Sequence, residues 1–101
     1  MEDNKPALVI NAIVDKANIE ELPTYIGSVM EVITENGGKT LSRFKTVESL
    51  SGEGSPEMVS IIEFPSAESI RNMVNGAPFQ ALSDLRARVF SKLNMMISES
   101  M

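Results

Sequence analysis

The 101-residue chain contains no cysteine and no histidine. This composition excludes disulfides, thiolate nucleophiles, serine–histidine triads and imidazole bases, and it removes the usual ligands of zinc and haem. We therefore expect no metal site and no resident cofactor. Any catalysis would depend on carboxylates, lysine, arginine, the single tyrosine, amides or hydroxyls.

Positive charge is also sparse. Nine basic residues are spread along the chain against fourteen acidic ones, which gives a net charge of −5. Nucleic acids and anionic membrane surfaces bind to concentrated positive patches, and the sequence has none. No apolar run approaches the roughly 20 residues of a membrane span, and the polar N-terminus lacks the pattern of a signal peptide. We expect a cytoplasmic protein with no nucleic-acid or membrane partner.

Length and composition predict one folded domain over residues 1–101. The chain is 43% hydrophobic and 23% charged, which is typical of a globular protein with one core. Four segments have strand character: two are nearly unbroken apolar runs, and two carry apolar residues at alternate positions. These predicted strands cover residues 7–14, 39–47, 58–64 and 92–97.

Two helical segments separate the predicted strands. The first carries Asn18 as its predicted N-cap and ends at a Gly-Gly pair. Pro23 disturbs its first turns, so that either one early hydrogen bond is lost or the regular helix begins only at Pro23. The second helix begins after a Ser66 N-cap, breaks at Gly76 and resumes at Pro78.

The order of these elements predicts an α+β, ferredoxin-like βαββαβ fold, with a four-stranded antiparallel sheet and both helices on one face. The strands at 7–14 and 58–64 carry apolar residues on both faces, as at Ile61 and Ile62. A monomer would expose one of these faces, and apolar patches on the order of several hundred Å² ordinarily mark interfaces. We expect two copies to stack sheet against sheet as a homodimer. The sequence leaves open which face forms the interface.

Specific motifs occur along nearly the whole chain. They are the segment from Asn18 to Tyr25, Gly37-Gly38-Lys39, Ile62-Glu63-Phe64-Pro65-Ser66, Ala77-Pro78-Phe79-Gln80-Ala81-Leu82, and Arg86. Together they resemble the DUF1330 family of the dimeric α/β-barrel superfamily. The resemblance implies a ferredoxin-like protomer, a dimer, and a pocket in each subunit between sheet and helices. It implies no defined biochemical role.

The same superfamily contains small cofactor-free monooxygenases and haem-degrading enzymes, which suggests an oxygenase-like activity by analogy alone. The histidine that haem-degrading relatives use is absent from this chain. Aromatic residues that family members often carry in the helix after the Ser66 stop are replaced here by Asn72, Met73 and Val74.

Glu63, Tyr25 and Arg86 are the candidates for catalysis. Glu63 lies within an apolar strand, where it could act as a general base, and Arg86 could hold a carboxylate or an enolate. Tyr25 could donate a hydrogen bond to a ligand. Each residue also has a structural interpretation. Glu63 could be at a solvated strand end, Arg86 could form an ion pair with Glu63 or Asp84 or simply be solvated, and Tyr25 could be a core residue with a solvated hydroxyl.

The candidate ligand-binding residues are Asn11, Tyr25, Arg43 and Arg86. Asn11 is the polar interruption in the most apolar strand, so its amide needs a partner in the dimer mate, a ligand or a water molecule. Arg43 lies on the more polar side of its strand and could line the dimer cavity or simply be solvated.

The sequence is compatible with three functions. The leading interpretation is a homodimer that binds a small organic molecule in a pocket between sheet and helices. The second is a cofactor-free monooxygenase or isomerase acting on a small aromatic or enolisable substrate. The third is a purely structural or regulatory dimer.

Overall fold

A four-stranded antiparallel sheet carries its helices on one face in a computed structural model that describes residues 5–101. The strands are β1 (Ala7–Val14), β2 (Lys39–Lys45), β3 (Met58–Glu63) and β4 (Phe90–Ser98), in the spatial order β2-β3-β1-β4. The helices are α1 (Leu22–Glu35), α2 (Ala67–Asn75), α3 (Ala77–Gln80) and α4 (Ser83–Val89). This arrangement confirms the predicted α+β, ferredoxin-like fold. Assembly into a dimer stays a prediction.

The core lies between the helices and one face of the two central strands. Because side chains alternate along a strand, Leu8 of β1 and Ile62 of β3 face the helices, and each is 2% exposed. The helices contribute the fully buried residues Ile33, Ile70, Met73 and Val89. Ile61 lies on the opposite face of the sheet, away from the helices.

The opposite face of the sheet, which we call the open face, is also rich in apolar side chains. Its apolar members are Val9, Ile13, Phe44, Val59, Ile61 and Met96. Among the described residues, no helix packs over them. Within residues 5–101, the helices therefore cover the apolar side chains of one face of the sheet and not those of the other.

The N-cap predicted at Asn18 is wrong. A 3-10 helix, Lys16–Glu21, precedes α1, and the Asp15 side chain caps it by accepting a backbone N–H hydrogen bond at 3.0 Å. Asn18 lies inside this segment with a non-helical backbone, and its side-chain amide donates to a backbone carbonyl of α4. The α-helix then begins one residue before Pro23. Proline is tolerated there because the first-turn N–H groups have no helical acceptor.

A β-bulge interrupts the regular alternation of faces along β2. Thr40 pairs with Ile62, but Ser42 pairs with Ile61, so the register slips by one residue between them. Such a bulge places an extra residue in one strand and reverses the alternation beyond it. Thr40 and Arg43 consequently share the helix side of the sheet, although simple alternation placed them on opposite faces. The strand also ends at residue 45 and not at 47.

The second half of the chain follows the prediction closely. The Ser66 hydroxyl accepts a hydrogen bond from the Ser69 N–H at 3.1 Å, which confirms the N-cap of α2. Gly76 ends that helix, and Pro78 lies in the first turn of α3. The helix expected after Pro78 is divided into α3 and α4, and β4 begins at Phe90, two residues earlier than predicted.

Within residues 5–101, no helix has the length and apolar character needed to cross a bilayer. The cytoplasmic location stays a prediction.

Gly38 joins α1 to β2 at a position without room for a side chain. A Cβ atom there would lie 2.5 Å from Ile33 Cγ2 and 2.9 Å from Phe64 Cζ, both in buried core residues.

We expect Gly38→Ala to lower the free energy of unfolding by about 1–3 kcal/mol, because overpacking displaces the core. Gly27→Ala is the control, since no atom of residues 5–101 outside its own helix turn and chain neighbours lies within 4 Å of its Cβ position in α1. It should stabilise by up to about 1 kcal/mol. Chemical denaturation measures both, and a Gly38→Ala variant as stable as the wild type would contradict this packing.

Candidate functional site

A cavity of about 50 Å³ lies between α1 and the helix side of the sheet. Its walls are mostly apolar and include several adaptable or aromatic side chains: Met30, Met58, Met73, Met95, Phe79 and Phe90. One water requires about 10–15 Å³ by this measure, so the cavity has room for roughly three to five water-sized groups. Unbranched methionine side chains adjust easily to the shape of an occupant.

Tyr25 forms part of the cavity wall, and its hydroxyl points into a contact with α4. The residue is 5% exposed, and its ring packs edge-on against Phe90 with centroids 5.3 Å apart. Tyr25 Oη accepts a hydrogen bond from Arg86 Nε at 3.0 Å. The ring is therefore held on both sides.

The Arg86 guanidinium links three helices. Its Nη2 donates to the Phe79 carbonyl at 2.8 Å, and its central carbon lies 4.0 Å from the centre of the Phe79 ring. Tyr25 belongs to α1, Phe79 to α3 and Arg86 to α4. The Arg86 guanidinium therefore contacts both of these aromatic residues of the cavity wall and holds their helices together. Arg86 lies behind the wall and does not line the cavity. These contacts take the place of the ion pairs with Glu63 or Asp84 that the sequence suggested.

One wall of the cavity is polar. It consists of Thr40 and Arg43 from β2 and Ser60 from β3, and the bulge is what places the first two on the same side. The Thr40 hydroxyl is buried, and it has no hydrogen-bond partner among the described residues. Arg43 is the only charged residue that lines the cavity in the described part of the chain, and its side chain is exposed. Sequence reasoning found Arg43 but missed Thr40 and Ser60.

Two predicted site residues lie on the open face. Glu63 follows a core residue of β3 and therefore faces away from the helices, and Asn11 alternates with the buried residues of β1 in the same way. Neither lines the cavity. The structure brings together Tyr25, Arg43 and, behind Tyr25, Arg86, but it does not bring Glu63 to them. Residues 5–101 contain no group of three or more carboxylates that could hold a metal ion.

The sheet order and the one-sided layer of helices define a protein of the ferredoxin-like α+β class. Residues 6–101 match the family described as Domain of unknown function (DUF1330), and the protein belongs to that family. This result confirms the resemblance seen in the motifs. No curated protein matches the chain.

Several solved structures share the fold at low sequence identity. A protein of unknown function from Rhodopseudomonas palustris has a TM-score of 0.81 at 14% identity. The match covers 99% of this chain and 85% of the Rhodopseudomonas palustris chain. A dabb family protein with a ferredoxin-like fold from Mesorhizobium loti has a TM-score of 0.71 at 8% identity, with coverages of 98% and 99%. A hypothetical protein from Arabidopsis thaliana has a TM-score of 0.74 at 12% identity, with coverages of 100% and 94%. At these identities the likeness concerns the fold alone.

The link between Arg86 and Tyr25 can be measured by a double-mutant cycle. Arg86→Ala should lower the free energy of unfolding by about 2–3 kcal/mol, because it removes charge-assisted hydrogen bonds at a partly buried site. Tyr25→Phe should cost about 1 kcal/mol, because only the hydroxyl is lost. The double variant should lose less than the sum, with a coupling of about 1 kcal/mol.

The control for this cycle is Arg88→Ala. Arg88 forms a surface ion pair with Glu21 at 2.9 Å, and solvent screening should leave it a minor contributor to stability. It shares no contact with the Tyr25 hydroxyl, so its effect should add to that of Tyr25→Phe. If the effects of Arg86→Ala and Tyr25→Phe on the free energy of unfolding are also additive, the proposed stabilising contact between Arg86 and Tyr25 is wrong.

Proposed function

We propose that the protein is a homodimer that binds a small organic molecule in the cavity between its sheet and its helices. The cavity carries the proposal, because it is a mostly apolar space of about 50 Å³ with a few polar groups on one wall. Small-molecule sites have this composition. An apolar group that fills a cavity of this size would contribute about 1 kcal/mol.

The open face supports the dimer. Phe44 is 58% exposed and Met96 is 41% exposed at opposite edges of this face, with further aliphatic side chains between them. Stacking two copies would remove these side chains from water, and a stable interface buries about 800 Å² on each partner. A sheet face can pack against the same face of a second copy about a two-fold axis.

Binding is favoured over catalysis by the position of the carboxylates. The enzyme interpretation requires Glu63 beside Tyr25 as a general base. Glu63 lies on the open face, and no acidic side chain of the described residues lines the cavity. A bound molecule would therefore meet apolar surface, hydroxyls and one guanidinium, which suit recognition better than proton abstraction.

Native mass spectrometry of freshly purified protein tests ligand binding directly. We expect a dimer that carries mass beyond two chains, or that gains such mass from a library of small organic fragments. Ala12→Leu is the blocking variant, because Ala12 lines the cavity and is 3% exposed. The variant should remain a dimer and lose the additional mass. A wild-type protein that takes up no fragment, or an Ala12→Leu variant that binds as well, would contradict the binding proposal.

The interface is tested by charges on the two faces of β3. Ile61→Glu should yield a folded monomer, because the interface would bury an unpaired carboxylate. Thr34→Glu adds the same charge at an exposed position of α1 and should leave the dimer intact. Ile62→Glu places the charge in the core and should prevent folding. Native mass spectrometry and circular dichroism report assembly and folding, and a folded Ile61→Glu dimer would contradict the stacked-sheet arrangement.

A further inference from the structure

We infer that the ligand of the cavity is a small organic anion, whose carboxylate binds between Arg43 and Thr40 while its short apolar body lies among the methionines. The inference rests on the binding function proposed above and names the class of molecule that the site selects. Three independent features of the polar wall support it.

The first feature is the buried Thr40 hydroxyl. It lines the cavity and lacks a hydrogen-bond partner among residues 5–101. Buried polar atoms in native proteins are almost always paired, so an unpaired one at a cavity wall indicates a missing partner. A hydroxyl rotates freely about its C–O bond and can donate to an acceptor placed in the cavity. A carboxylate oxygen supplies that acceptor.

The second feature is the charge at the solvent-exposed end of the cavity. Among residues 5–101, Arg43 is the only exposed residue of the lining, so a ligand group beside it would be near water. The ion pairs among the described residues use Lys16 and Arg88, and Arg43 takes part in none of them. The guanidinium group matches a carboxylate with two parallel hydrogen bonds. The entrance is thus positive in a protein whose net charge is −5.

The third feature is the bulge that assembles this wall. Arg43 pairs across the sheet with Ser60, and Thr40 pairs with Ile62, so both residues of β2 face the helices. Without the extra residue, positions three apart in a strand would lie on opposite faces. Bulges often redirect a side chain beside a functional site. Here the bulge places a donor inside the cavity and a cation at its entrance.

The cavity also limits the size of the apolar body. Its volume of about 50 Å³ corresponds to roughly three to five water-sized groups. A short monocarboxylate meets this limit with its chain inside and its carboxylate at the entrance. Butyrate is therefore a suitable probe, and butyramide is its neutral counterpart of equal shape.

The experiment compares these two probes by NMR, using methyl-labelled methionine and following Met58, Met73 and Met95 at the cavity wall. We expect butyrate to bind the wild-type protein about tenfold more tightly than butyramide, as one charge-assisted interaction would provide. Arg43→Gln should abolish this preference. Lys45→Gln is the control. Lys45 is a cation on the same side of β2 as Arg43, but it does not line the cavity, so this variant should keep the preference for butyrate.

Thr40→Val distinguishes a binding role from a structural one. The substitution keeps the shape and removes the unpaired hydroxyl, so the ligand-free protein should gain about 4 °C or more in its thermal midpoint. The same variant should bind butyrate about five- to tenfold more weakly. A Thr40 hydroxyl that only supports the fold would give a lower midpoint and unchanged affinity, which would overturn the inference.

The remaining outcomes separate the inference from the proposed function. Equal affinity for butyrate and butyramide would overturn the anion preference and leave the cavity as a binding site. An equal loss of preference in Lys45→Gln would also overturn it, because the effect would then reflect general surface charge. If neither probe moves the cavity methionine signals at about 50 mM, well above the roughly millimolar dissociation constant expected for six heavy atoms, both proposals fail.

Discussion

The central constraint on this protein is a sheet that is apolar on both faces and that, within residues 5–101, is covered by helices on only one. Leu8 and Ile62 illustrate the covered side, where the helices exclude water from the core. Phe44 and Met96 illustrate the other side, where similar side chains remain exposed. The internal cavity and the proposed dimer are both related to this division, because the helices close over one face and leave the apolar side chains of the second face uncovered.

The cavity depends on two different kinds of support. On the helix side, Arg86 holds Tyr25 and Phe79 in place through hydrogen bonds and ring contacts, so the aromatic wall is firm. On the sheet side, the bulge in β2 turns Thr40 toward the same space as Arg43. A rigid apolar wall facing a polar one is an arrangement that orients an amphipathic occupant.

Local sequence signals predicted much of the fold. The strand β1 and the Ser66 cap of α2 are predicted correctly, because a short β-branched apolar run and an N-cap are both signals that extend over only a few residues. The start of the first helix was misplaced because Asp15 and Asn18 are both residues that favour capping positions, and only the packing against α4 separates them.

The site was less predictable because its defining contacts are tertiary. Arg86 and Tyr25 are 61 positions apart, and nothing in either local segment identifies the other as its partner. A periodic pattern also gives the alternation of faces without saying which face the helices cover, so Glu63 was considered beside Tyr25 although it lies on the open face. The sequence did not predict that Thr40 lines the cavity, because its orientation depends on a single-residue bulge. Such a bulge is visible only in the register between strands.

A crystal structure of the protein grown with butyrate is the most direct measurement of the central claim. The account predicts two copies joined at their open faces. It also predicts electron density in the cavity, with one end within hydrogen-bonding distance of the Thr40 hydroxyl and the Arg43 guanidinium. A cavity closed by its own side chains, with Thr40 bonded inside the protein and the open face in solvent, would contradict it.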